Sequence, residues 1–202
     1  MKRAAQRRAA GAPWSEFLFL NPLGNWPDYA FGVLRRRTAK GKVNTATDFG
    51  RAKLHPVDPP PASAPFRPTA ARWECLIPPR APDAFLDPSH LLTTYDAQGL
   101  EWRRSLLTYV TLRFPDEDRL HAAFEAVRAW AMREFVEQHG APVLLIQHAP
   151  HMVGSPRPHH VHCLVIPRMA TGLGWGAYCD DDLTEDGAQK TIYDSWLTRS
   201  GR

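Results

Sequence analysis

The most informative part of the sequence is VLLIQHAPHMVGSPRPHHVHCLVIPR, residues 143–168, which holds five of the nine histidines of the chain. Two runs in it, at 143–148 and 159–168, are rich in aliphatic residues and are typical of β-strands. A loop at 149–158 separates them and contains prolines and a glycine. The pattern predicts two consecutive strands that pair in the antiparallel sense.

The alternation of side chains along a strand assigns the histidines to faces. His160 and His162 are two residues apart and therefore project to one face, while His159 and Cys163 project to the other. His148 ends the preceding strand, so the hairpin predicts three imidazoles within reach of one divalent ion. Imidazole suits zinc, manganese, iron, nickel or copper. Three protein ligands leave positions for water or substrate, which is typical of catalytic rather than structural sites.

The flanking residues predict the rest of the domain. RSLLTYVTLRF, residues 104–114, is typical of a strand, and apolar residues recur every three to four positions over 120–135 in a helix that ends before Gly140. RWECLIPP (72–79) is a further strand candidate, residues 80–99 are expected to be mostly loop, and 189–198 a short helix. These elements predict an α+β fold: an antiparallel sheet with helices packed on one face.

The first quarter of the chain is strongly basic. Residues 1–53 contain eleven lysines and arginines against three acids, and residues 55–68 contain six prolines. We therefore expect a basic N-terminal arm and a proline-rich linker or strap over 1–68, and the α+β domain over 69–202. Such a basic segment favours contact with nucleic acid, or is a solvated tail that aids solubility. The candidate contacts are Arg35, Arg36, Arg37, Lys40 and Lys42, together with Arg168 after the last histidine strand.

The cysteine content and the length of the apolar runs indicate the cellular compartment of the protein. The three cysteines are scattered without a CxxC pair, which favours a reducing compartment over a disulfide scaffold. No apolar run approaches the length of about 20 residues that a membrane-spanning helix needs. We therefore predict a cytoplasmic protein with no membrane partner.

The order of motifs resembles a known family. REFVEQHG at the end of a helix, a strand VLLIQHAP, a loop closing on PRPHHVHCLV and then IPR are similar to the MobA/MobL mobilisation relaxases, members of the HUH endonuclease class. The similarity is best over residues 133–168, and the doubled histidine before His160 departs from the pattern. It implies the HUH endonuclease fold, a ferredoxin-like split βαβ arrangement, with a metal triad at His148, His160 and His162.

The resemblance also implies a reaction. A divalent cation, magnesium or manganese with zinc as an alternative, would polarise the scissile phosphate of DNA. A tyrosine would attack, nick one strand, stay linked to its 5′ phosphate and later rejoin the ends. The implied substrate is a single-stranded or nicked origin-like site, and the implied setting is plasmid mobilisation in conjugation with accessory mobilisation proteins.

The nucleophile is open at the level of sequence. Tyr29 in PDYAFGVLRRR and Tyr193 in KTIYDSW are the candidates, whereas Tyr109 lies within a strand and is expected to pack in the core. Two alternatives to the relaxase hypothesis remain. One is a catalytically inactive descendant that binds nucleic acid, and the other is a metal-dependent phosphoesterase that uses water.

Overall fold

The computed structural model describes residues 18–38, 41–57, 65–116, 119–185 and 187–200. Its main sheet contains six strands: β1 (Leu18–Trp26), β2 (Tyr29–Arg35), β3 (Arg72–Leu76), β4 (Ser105–Arg113), β5 (Val143–His148) and β6 (His160–Val165). A separate two-stranded sheet contains β7 (Arg168–Thr171) and β8 (Gly174–Tyr178). The helices are α1 (Ala46–Leu54), α2 (Pro88–Asp96), α3 (Leu120–Ala131, continued by a π-helix over Met132–Glu137), α4 (Asp180–Leu183) and α5 (Ala188–Ser200).

The strand order in the main sheet is β1-β2-β4-β6-β5-β3, and every neighbouring pair is antiparallel. The predicted hairpin of the two histidine-containing strands is confirmed, with His148 opposite His160 and Ile146 opposite His162. Because β6 also pairs with β4 on its other side, Thr111 lies opposite His162 and Arg113 opposite His160. Three strands therefore meet where the histidines lie.

Helices pack on both faces of the sheet. On one face, α3 and α5 enclose a core that includes Phe124, Trp130 and Trp196. On the other, α1, α2 and the β7–β8 hairpin enclose a second core that includes Phe49 and Leu92. The predicted α+β class with an antiparallel sheet is confirmed, but the helices cover two faces where one was expected. The strand β4 shows why, since all its residues from 105 to 112 are buried and apolar side chains point both ways.

Residues 18–57 belong to this domain, although the sequence led us to expect a basic N-terminal arm and a proline-rich linker or strap over 1–68. The strand β2 pairs with β4 along its whole length, with Phe31 in the first core and Leu34 in the second. Helix α1 begins after Thr45, whose side chain accepts a hydrogen bond from the Asp48 amide. Its first turn is tied to α2 because the Asp96 carboxylate accepts from the amides of residues 46 and 47. Residues 1–17 and 58–64 lie outside the described part of the chain.

Helix α2 occupies a region that was expected to be loop. Its start carries two ordinary helix-start signals, because Asp87 accepts a hydrogen bond from the His90 amide and Pro88 lies in the first turn.

Gly140 follows the α3 segment with φ of +63°, as its predicted role in ending the helix requires. Within the described ranges, no helix combines the length and the apolar character needed to cross a membrane.

Candidate metal centre

Three histidines converge at one end of the main sheet. His148 is the last residue of β5, His160 the first residue of β6, and His162 follows on the same face. One nitrogen from each ring can be chosen so that all three lie within 4.8 Å of one another. The predicted face assignment is confirmed, because His159 lies on the opposite face with its ring stacked on Phe114 at 5.7 Å.

Hydrogen bonds fix which nitrogen of His148 and His160 faces the cluster. Nε2 of His148 lies 2.6 Å from the Lys53 carbonyl oxygen, and Nδ1 of His160 lies 3.0 Å from the Pro158 carbonyl oxygen. A carbonyl oxygen only accepts, so these nitrogens carry the protons. Nδ1 of His148 and Nε2 of His160 are therefore lone-pair donors. An outer N–H held by a carbonyl is the usual arrangement of metal-ligating histidines.

His162 is held from behind by two hydroxyl groups of β4. Its Nδ1 lies 2.7 Å from the Tyr109 hydroxyl oxygen and 2.9 Å from Thr111 Oγ1, and its ring stacks on the Tyr109 ring. Nε2 of His162 consequently faces Nδ1 of His148 at 3.2 Å. Two nitrogens bound to a tetrahedral zinc at about 2.1 Å each lie about 3.4 Å apart. The spacing thus fits two ligands of one ion.

The environment keeps the three imidazoles neutral. Burial lowers the pKa of His148 and of His160 to about 4, and it lowers the pKa of the fully enclosed His162 well below the usual value. The nearby cations Lys53 and Arg113 act in the same direction. Neutral imidazole is the form that binds a metal. The donor set, its tautomers and its spacing therefore fit a divalent ion.

Two cations stand beside the histidines. Lys53, near the end of α1, places Nζ 4.8 Å from the centre of the Tyr109 ring. Arg113 lies opposite His160 in the sheet, and its guanidinium approaches the Pro27 carbonyl oxygen at 3.4 Å. The charge of both side chains acts on His160 and lowers its pKa, after the larger effect of burial. The sequence alone did not place these two cations at the site. If the strand order β4-β6-β5 had been known, the alternation along β4 would have placed Arg113 on the same face as Thr111, beside the histidines.

The two candidate tyrosine nucleophiles lie on the other face of the sheet. Tyr29 is fully buried in the core formed with α3 and α5, and its hydroxyl donates to the Gln189 carbonyl oxygen at 3.3 Å. Burial raises the pKa of Tyr29 well above its usual value. Tyr193 on α5 stacks on Trp26 at 4.0 Å, and its hydroxyl lies 3.5 Å from Asp28 Oδ1. The structure therefore does not bring these hydroxyls together with the imidazoles.

The predicted nucleic-acid contacts lie at the opposite end of the sheet. Arg35 pairs with Ser105, whereas His162 pairs with Thr111, six residues further along β4. At about 3.4 Å per residue the separation is about 20 Å. The same far end holds the predicted contacts that follow β2 or β6, which are Arg36, Arg37, Lys42 and Arg168. Lys40 lies outside the described residues.

Comparison with known proteins supports the fold. No protein-family model matches the chain, and no curated protein matches it. A solved structure that concerns the molecular basis of vancomycin resistance transfer in Staphylococcus aureus matches with a TM-score of 0.50 and 19% identity. The match covers 65% of this chain and 66% of that chain, slightly less than two thirds of its length. Over the matched part, the chain therefore shares the fold of that protein.

Proposed function

We propose that this protein is a relaxase-like DNA-processing protein in which His148, His160 and His162 hold a divalent metal ion. The observation that carries the proposal is the convergence of three neutral imidazole nitrogens whose outer ring nitrogens are each engaged by the protein. Two further observations support a role in the mobilisation of DNA. One is the fold shared with the protein of the vancomycin-resistance-transfer structure, and the other is the motif order over residues 133–168. A cytoplasmic location, an origin-like DNA site and accessory mobilisation proteins stay predictions.

The donor set favours particular metals. Three imidazole nitrogens suit manganese or zinc better than magnesium, which prefers oxygen ligands. When bound, such an ion supplies a Lewis acid that polarises a phosphoryl oxygen. The chain itself contributes the orientation of the rings, through Tyr109 and Thr111 behind His162. Lys53 and Arg113 contribute positive charge for the same phosphate.

The nucleophile divides the proposal into two variants. In the tyrosine variant a phenolic oxygen forms a bond to phosphorus while the bond from phosphorus to the 3′ oxygen breaks. Tyr193 is then the better candidate because it is half-buried, whereas the Tyr29 hydroxyl is enclosed. In the second variant water attacks, and no protein remains attached. The position of both tyrosines on the face opposite the histidines favours water.

The test uses single-stranded oligonucleotides labelled at either end, incubated with manganese and with the wild-type protein, His160→Ala, Tyr193→Phe or Tyr29→Phe. We expect cleavage by the wild type and loss of cleavage in His160→Ala. A covalent protein–DNA band that Tyr193→Phe abolishes supports the tyrosine variant, and cleavage without any such band supports water. Metal and DNA binding without cleavage would show an inactive binding protein. Failure of the wild type to bind manganese or zinc would overturn the proposal.

A further inference from the structure

An exposed aromatic surface lies at the end of the sheet opposite the histidines. Trp102, just before β4, is 67% exposed, although tryptophan is among the residues that are most buried on average. Its ring meets the half-buried ring of Tyr178 at 5.6 Å in an edge-on arrangement. We call the set Trp102, Arg103, Arg168 and Tyr178 the Trp102 platform.

Arginine guanidinium groups alternate with these rings. The Arg103 guanidinium carbon lies 3.8 Å from the centre of the Tyr178 ring and 4.7 Å from that of Trp102. The Arg168 guanidinium lies 4.7 Å from the same Tyr178 ring. The hydrogen bonds of Arg168 go to the Gly176 carbonyl and the Gln98 side-chain oxygen, which are neutral. These bonds orient the guanidinium without neutralising its charge.

The basic run after β2 continues this surface. The Arg36 amide donates to the Arg104 carbonyl oxygen at 3.0 Å, which places residues 35–37 beside residues 103–104. The side chains of Arg37 and Arg104 are exposed. Three of the described acids lie nearby: Asp96 directs both carboxylate oxygens to the backbone and hydroxyl of α1, while Glu101 and Asp182 are exposed. Among the described residues, arginines nevertheless outnumber acids around the open indole of Trp102.

This combination matches the chemistry of a single nucleic-acid strand. Unpaired bases stack on exposed aromatic rings, and phosphates are attracted by arginines along the same path. In a duplex the bases are paired and stacked on one another, so a duplex would contact the arginines through its phosphates but would not stack on Trp102. We propose that the Trp102 platform binds single-stranded nucleic acid, with a base stacked on Trp102 and phosphates held by Arg37, Arg104 and Arg168.

The inference extends the proposed function by adding a second contact for the strand, but binding here needs no metal. The platform and the histidines are about 20 Å apart along the sheet. A strand longer than this is able to touch both sites. A shorter strand reports on the platform alone when metal is removed.

The experiment measures fluorescence anisotropy of a labelled five-nucleotide oligothymidine with the whole protein in EDTA. We expect Trp102→Ala to weaken binding about tenfold or more, because stacking of one base contributes a factor of this size, and Trp102→Phe to retain most of it. Trp73→Ala is the matched control, since Trp73 is a partly exposed tryptophan on the edge strand β3 and should bind normally. Arg104→Gln should lower the salt dependence by about 0.7 per lost phosphate contact, whereas Arg199→Gln on α5 should not.

Several outcomes would overturn the inference. Equal binding by Trp102→Ala and wild type would show attraction by charge alone. Equal affinity for a duplex long enough to stay paired and for a single strand of the same length would exclude base stacking. Trp102-dependent binding to anionic vesicles without binding to the oligonucleotide would identify a membrane surface instead. Binding of the oligonucleotide in EDTA does not depend on metal, whereas the metal centre is tested by titration of the wild type with manganese or zinc, so failure of the platform is distinguishable from failure of the metal centre.

Discussion

Removal of a single hydroxyl group should separate metal binding from folding. Tyr109→Phe deletes the hydroxyl that lies 2.7 Å from Nδ1 of His162 but keeps the buried ring that stacks on the imidazole. Loss of a partner that orients a ligating histidine typically weakens metal binding 10- to 100-fold. Because Thr111 still contacts the same nitrogen at 2.9 Å, we expect a loss near the lower value, about tenfold. Thr111→Val added to Tyr109→Phe should bring the loss to about 100-fold.

A matched control exists in the same core. Tyr95 is also buried, and its hydroxyl donates to the Leu106 carbonyl oxygen at 3.0 Å. Both Tyr95→Phe and Tyr109→Phe should lower the free energy of unfolding by about 1 kcal/mol, but only Tyr109→Phe should weaken metal binding. Calorimetric titration with manganese and zinc, with denaturant unfolding alongside, measures both quantities. Unchanged metal affinity in Tyr109→Phe, or an equal loss in Tyr95→Phe, would refute the role given to this hydroxyl.

Three further predictions concern the faces, the protons and the N-terminal strands. His160→Ala should remove most metal affinity in the same titration while His159→Ala should retain it, and equal losses would refute the face assignment. The metal-free protein should lose stability as the pH falls from about 6.5 to 4, by up to about 3 kcal/mol for His148, because the unfolded chain binds the proton that the folded state excludes; a flat profile in denaturant unfolding would contradict this. Phe31→Ala should lower the free energy of unfolding by about 3 to 5 kcal/mol, since Phe31 is 2% exposed in the shared core, and a negligible change would instead indicate a separate arm.

The convergence of His148, His160 and His162 could be predicted from sequence because it depends on local rules. The alternation of side chains along one strand placed His160 and His162 on the same face. A loop of ten residues returns the chain so that this strand pairs with the strand that ends in His148. Their supporting hydroxyls could not be found in the same way. Tyr109 and Thr111 are more than 50 residues earlier in the chain and meet His162 only because β4 inserts next to β6.

The N-terminal strands were missed for a different physical reason. The segment YAFGVL of β2 is buried on both faces, so it shows no alternation of apolar and polar residues that would mark a strand. The arginines that follow it suggested a solvated arm. Helices α1 and α2 did carry usable signals, Thr45 with Asp48 and Asp87 with Pro88, but these short helices have weak apolar periodicity.

The most direct test of the metal centre is X-ray absorption spectroscopy of the zinc-loaded protein, which counts imidazole ligands. Three imidazole nitrogens at about 2.0 to 2.1 Å are expected for the wild type, and two for His160→Ala. Zinc bound with one imidazole or none in the wild type would show that His148, His160 and His162 do not hold the ion together.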